Sequence, residues 1–119
     1  MADLGLVVKF DDEHQTMIYS IRGPVLEENV PQLAAEINQQ LLRKAKNFVL
    51  VFEPSSQVKV RAIDGLLRIR DNIREAFGKL RIVDVGEHIP QLRFTGLSNL
   101  IVVVRTLPCA LKSLEEFKD

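Results

Sequence analysis

The 119-residue chain balances sixteen Lys and Arg against sixteen Asp and Glu, so no net field draws it onto a phosphate backbone or an anionic bilayer, and nucleic acid is not an expected partner. Hydrophobic residues at 46% and charged residues at 27% exclude a largely disordered chain and suit one compact domain across residues 1–119. The longest apolar runs, such as Leu100 to Val104, reach about a quarter of the length that crosses a bilayer, so no direct membrane insertion is expected. Met1-Ala2-Asp3-Leu4-Gly5 lacks the basic segment and apolar core of a signal peptide, and a cytoplasmic location is the expectation. The single cysteine, Cys109, cannot form an internal disulfide and is expected as a small buried residue in a reducing compartment.

Leu6 to Phe10 and Thr16 to Ile21 are short runs of mostly β-branched and apolar residues, separated by the polar cluster Asp11-Asp12-Glu13-His14-Gln15. They predict two strands joined as an antiparallel hairpin. Gly23-Pro24 breaks the second strand, and Asn29 is placed to cap a first helix with Pro31 in its first turn, where a missing N–H costs nothing. Val30, Leu33, Ala34, Ile37 and Leu41 recur at three and four residues as its apolar stripe. Arg43, Lys44 and Lys46 complement the carbonyls at its end. Phe48 to Phe52, five apolar residues in a row, predicts a strand buried on both faces in the middle of a sheet.

Glu53 to Gln57 follows as a loop, Val58-Lys59-Val60 as a short extended piece, and Ala62 to Phe77 as a second helix. At about 100° per residue, Ala62, Leu66, Ile69, Ile73, Ala76 and Phe77 fall within roughly a 100° arc, the width of a core-facing stripe. Ile63 and Leu67 lie off that arc, on a side shared with Arg70 and Arg74, while Asp64, Arg68, Asp71, Asn72 and Glu75 fill the remaining surface. An apolar pair rimmed by arginines is either a shoulder of the core under a neighbouring loop or a contact site for another protein. Ala62, Ile63, Asp64, Leu67, Arg70 and Arg74 are therefore the candidate partner-binding residues.

Gly78 is placed to end the second helix, and Lys79 to Val85 supplies a strand. Glu87 to Thr95, stopped by Gly96, is a short helix presenting Ile89, Leu92 and Phe94, and Leu100 to Val104 is the last strand. Thr106 with Pro108 opens a terminal helix marked by Ala110, Leu111, Leu114 and Phe117. The order is ββαβαβαβα. This is an α/β fold: a mixed sheet with an N-terminal antiparallel hairpin and then parallel strands joined by right-handed crossovers, covered by about four helices.

No catalytic or metal signature stands out. His14 in a turn and His88 beside a proline have no cysteine or carboxylate at ligand spacing and are expected as solvated loop residues. A dinucleotide-binding glycine motif, a P-loop and a nucleophile elbow are all missing, so no enzymatic activity, cofactor or metal is expected. One tyrosine and no tryptophan leave no aromatic platform for stacking bases. A phospho-accepting receiver domain also has about this size, but it needs carboxylates at strand ends, and here the turn between the first two strands is too short for a crossover helix.

Three stretches in order resemble a STAS domain, the module of bacterial anti-sigma factor antagonists and of sulfate-transporter tails. Gly23-Pro24-Val25-Leu26 followed by Pro31-Gln32-Leu33 is similar to the family's Gly-Glu-Leu-Asp and Pro-x-Leu. Val58 to Leu66 corresponds without a gap to Val-x-Phe-Ile-Asp-Ser-Ser-Gly-Leu. Thr95-Gly96-Leu97 with Leu100 is similar to Thr-Gly-Leu-x-x-Leu. The resemblance implies a signalling module whose second helix starts at a phosphorylatable serine, docked and modified by a kinase-type anti-sigma factor. Here that Asp-Ser-Ser-Gly tetrad is Ala62-Ile63-Asp64-Gly65, with Ile63 at the acceptor position, and Leu26 replaces the family's first Asp. The resemblance thus implies a regulatory interaction domain without the usual serine phosphorylation; Asp64 is either a permanent negative charge for the partner or a plain capping carboxylate, and Ser55 and Ser56 are either displaced acceptors or ordinary turn residues. The implied partner is an anti-sigma factor or kinase-like regulator; a subunit of a membrane transport or lipid-export complex is the alternative.

Overall fold

The computed structural model describes residues 3–87, 89–94 and 96–116. A five-stranded sheet runs in sequence order: β1 (Leu6–Asp11), β2 (Thr16–Ile21), β3 (Asn47–Phe52), β4 (Lys79–Asp84) and β5 (Val102–Val104). β1 lies antiparallel to β2 with Leu6 opposite Ile21, and every later pair is parallel. The hairpin turn is too short to reverse the pairing, whereas each later connection carries a helix. The predicted α/β order and the mixed sheet are both present.

Side-chain alternation divides the core in two. Met17, Tyr19 and Ile21 of β2 with Phe48, Leu50 and Phe52 of β3 face α1 (Val30–Leu42), α2 (Ile63–Glu75) and α3 (Gln91–Phe94). Ile18, Val49, Val51 and Val83 face α4 (Leu107–Glu116) through Ala110, Leu111 and Leu114. β3 is buried on both faces, as a continuous apolar run predicts. Val30, Leu33 and Ile37 are the buried stripe of α1. Asn29 sits at the N-cap but ties down the preceding loop, its Oδ1 accepting the Leu26 N–H at 2.7 Å and its Nδ2 donating to the Pro24 carbonyl at 2.7 Å.

Several boundaries differ from expectation. Phe77, placed on the inner stripe of α2, is 90% exposed, because the helix ends at Glu75 and Phe77 takes a left-handed φ of 63°. The Phe77 N–H then bonds to the Arg74 carbonyl at 2.9 Å and the Gly78 N–H to the Ile73 carbonyl at 2.8 Å, the paired closure that satisfies the last carbonyls of a helix. Gly78 is needed for a different reason: a Cβ there would lie 2.4 Å from the Lys46 carbonyl oxygen. Lys46 caps α2 rather than α1, donating to the Ala76 carbonyl. β5 begins at Val102, not Leu100, because a 3-10 turn at Leu97–Asn99 continues through an Ile101 N–H bond to the Leu97 carbonyl. Cys109 is exposed: the inward stripe of α4 passes through Ala110, Leu111 and Leu114 and leaves Cys109 outside. Thr106 caps this helix, its Oγ1 accepting the Cys109 N–H. His88, Thr95 and Phe117 lie outside the described residues, as does the side chain of Phe94.

Candidate functional site

The start of α2 is held by a second, smaller set of strand-like bonds. Val25 and Val58 form an isolated parallel bridge, with the Val25 N–H donating to the Gln57 carbonyl at 2.7 Å and the Lys59 N–H to the Val25 carbonyl at 3.0 Å. Ser55 Oγ donates to the Arg22 carbonyl and Ser56 Oγ to the Gly23 carbonyl. The loop that delivers α2 is thereby stitched to the loop that delivers α1. A 3-10 turn at Val60–Ala62 follows, and α2 continues from Ile63. Gly65 lets the two helices meet: a Cβ on it would lie 2.4 Å from Val30 Cγ1.

The outward placement of Ile63 is a correction. Ile63 is only 7% exposed and belongs to the main core with Ile89, Leu92, Leu97 and Ile101, while Leu67 packs against that core half-buried. Ala62 is 1% exposed. The segment between β4 and β5 lies over this flank of α2, and Arg70 Nη1 reaches the Leu100 carbonyl at 3.2 Å. The apolar pair is a shoulder of the core. Of the candidate residues, Asp64 and Arg74 are exposed, and Arg70 is half-buried and paired with Asp71 at 2.7 Å.

What remains on the surface at the start of α2 is a different set. Val60 is 61% exposed, with exposed Arg61, Asp64 and Arg68 around it. A shallow groove between Pro31 of α1 and Arg68 of α2 opens beside them, with Glu27 at its rim. Ala62 stands at the N-cap of α2 and offers no side-chain cap, so Asp64 is the acidic residue of the first turn, at the positive end of the helix dipole. Val60 was missed because an extended piece entering a helix gives no periodic signal. Its register-breaking turn could be sought only through the bonds of Val58 and Ser56.

Ser56 is fully buried and Ser55 exposed, so of the two proposed displaced acceptors only Ser55 presents its hydroxyl side to solvent. His14 is not a plain solvated residue. It lies 3.2 Å from Asp11 Oδ2 and 3.4 Å from Glu115 Oε1, tying the β1–β2 turn to α4. The backbone N–H of His14, donated to Asp11, holds that carboxyl below its ordinary range. Among the described residues no three His, Cys, Asp or Glu side chains are grouped to hold a metal ion, and no helix is long and apolar enough to cross a membrane.

A mixed five-stranded sheet with three helices on one face and one on the other, entered by an antiparallel hairpin, defines an α/β domain whose second helix is anchored at its N-terminus. The family model for the STAS domain matches residues 6–110, and the chain belongs to that family. The solution structure of the protein TM1081 superposes with a TM-score of 0.79 at 16% identity, covering 92% of this chain and 88% of that one. A crystal structure of the same Thermotoga maritima protein, described as a candidate anti-sigma factor antagonist, gives 0.77 at 17% identity over 92% and 94%. An anti-sigma factor antagonist from Mycobacterium paratuberculosis gives 0.74 at 17% identity over 92% of each chain. These similarities establish the fold. No curated protein sequence matches the chain.

Proposed function

We propose that this STAS domain is a non-enzymatic regulatory module that binds a protein partner at the start of α2 without serine phosphorylation there. The observation that carries the reading is the tetrad Ala62-Ile63-Asp64-Gly65: it has no hydroxyl, and its Ile63 side chain is sealed in the core. A fixed charge, Asp64, stands one position further on, where the dipole favours it by about 0.3–1 kcal/mol. The solved neighbours described as anti-sigma factor antagonists support an anti-sigma factor or kinase-like regulator as the partner. The contact surface in this reading is Val60, Arg61, Asp64 and Arg68, an exposed apolar centre in a charged rim; Ile63 supports it from beneath.

The test is co-purification of the tagged chain from its own cells, with partners identified by mass spectrometry. Val60→Asp and Asp64→Arg should each reduce recovery of a specific partner at least about tenfold, the loss of one well-placed contact of about 1.4 kcal/mol, Val60→Asp with unchanged melting temperature and Asp64→Arg with only the few degrees that the lost dipole interaction costs. Glu75→Arg, at the far end of α2, should retain it. Full recovery with both surface variants would refute the assignment. Recovery of a transporter ATPase or permease in place of a sigma-factor regulator would assign the chain to a transport or lipid-export complex.

A further inference from the structure

At the carboxyl ends of β4 and β5 the chain leaves the sheet toward opposite faces. β4 leads to the segment whose Ile89 and Leu92 join the core on the α1 and α2 side, whereas β5 leads to α4 on the other side. Adjacent parallel strands whose connections part in this way leave a crevice beyond their ends, the place where open α/β sheets bind ligands. A cleft of about 440 Å³, partly open to solvent, occupies that position, within the range of small-molecule sites. Its apolar lining is the half-buried pair Val103 and Val104, with the fully buried Leu92 behind them.

Two arginines and two acids line the cleft, so its formal charges balance. Glu87 gathers both guanidinium groups: Arg93 Nη2 donates to its carbonyl at 3.1 Å, and Arg105 pairs with its carboxylate. Arg93, exposed at the mouth, therefore meets a carbonyl there and not a carboxylate. The remaining acid, Asp84, is 4% exposed and accepts the Ile89 N–H of its own loop.

We infer that the cleft between α3 and α4 is a binding site for a small organic acid, its apolar body on Val103 and Val104 and its carboxylate on Arg93. The site is separate from the surface around Val60, so it stands or falls independently of the proposed partner contact.

Cys109, the chain's one cysteine, is exposed on the wall of this cleft and serves as the reporter. Its alkylation by N-ethylmaleimide is followed by intact mass while octanoate or phenylacetate is titrated below any micellar concentration. At least one acid should slow alkylation saturably. Arg93→Gln should raise the half-protecting concentration about tenfold, as expected for a lost charged hydrogen bond, and Arg74→Gln, on α2, should leave it unchanged. No protection by either acid at 10 mM on the order of the weakest useful affinities, equal protection in Arg93→Gln, equal protection by neutral octanol, or protection only by anionic phospholipid vesicles would each overturn the assignment.

Discussion

Substitution of Gly65 by alanine tests the claim that the start of α2 is positioned by direct contact with α1. A methyl group built there lies 2.4 Å from Val30 Cγ1 and 3.2 Å from Val30 Cβ. Carbon atoms rest about 3.5–4.0 Å apart, so the helices must separate by roughly 1 Å. Valine is branched at Cβ and has no flexible end to swing aside. Overpacking costs about 1–3 kcal/mol, and the better helix propensity of alanine returns at most about 1 kcal/mol, so Gly65→Ala should destabilise by about 1–2 kcal/mol. For a chain of this length that lowers the melting temperature by about 3–8 °C. Val30→Ala alone should cost about 2 kcal/mol through lost packing, but it also removes the obstructing methyls. In that background the Cβ of residue 30 still lies 3.2 Å away and must give slightly, so Gly65→Ala should lie between neutral and about 1 kcal/mol stabilising. Urea denaturation of the four proteins measures the cycle, and loss of the penalty in the Val30→Ala background is the decisive result. If alanine at 65 stabilises the wild-type chain, or costs the same with and without Val30, the two helices are not in the contact described.

Ile63→Ala should cost about 2–4 kcal/mol, as a core truncation does, whereas Val60→Asp should stay within about 0.5 kcal/mol by the same denaturation assay; equal effects would remove the distinction between support and contact. Phe77→Gly should stabilise by about 1 kcal/mol, because a 90% exposed residue at a φ of 63° carries a left-handed strain that glycine lacks; calorimetry showing a loss would contradict the described helix end. Tyr19 is buried, its hydroxyl has no partner among the described residues, and burial, with Glu36 adding to it, pushes its pKa up to about 12. Its neutral form is therefore favoured in the fold, so this contribution is complete below pH 10 and is lost as pH rises from 10 toward 12. With one tyrosine and no tryptophan in the chain, absorbance at 295 nm titrates this group alone, and a native midpoint near 10 would refute its burial. Tyr19→Phe should remove that alkaline loss.

The sheet was legible because its signals are local. An apolar run of five at Phe48–Phe52 can satisfy both faces of a central strand, and five polar residues between two strands leave no room for a crossover. Helix α1 was equally legible, since Val30, Leu33 and Ile37 form one continuous buried stripe. The ends were less so. A glycine at 78 suggests the left-handed position of a helix end, yet Phe77 occupies it and Gly78 is required by the carbonyl of Lys46, thirty-two residues earlier in the chain. Propensity describes what a residue permits, and the approach of a distant backbone decided which of two neighbours had to be small.

The same distinction governs the site. A helical wheel divides α2 by angle and assumes one covering surface, but α2 is covered by the sheet beneath Leu66, Ile69 and Ile73, by α1 at Gly65, and by the 89–101 segment along Ile63 and Leu67. A short helix and two turns between β4 and β5 carry little periodicity of their own, so their apolar residues Ile89, Leu92, Leu97 and Ile101 gave no hint of where they pack. Once they are placed, the flank closes and a different face is left open, the one that follows the 3-10 turn at Val60. Burial of Ile63 then gives the exposed set its rigidity. Val60, Arg61 and Asp64 sit on a turn fixed below by a core side chain, on one side by the Val25–Val58 bridge and on the other by the Gly65–Val30 contact. A partner meeting that surface has little ordering entropy to offset, and this is why a variant that loosens the Gly65–Val30 contact should weaken partner binding by more than its distance from Val60 suggests.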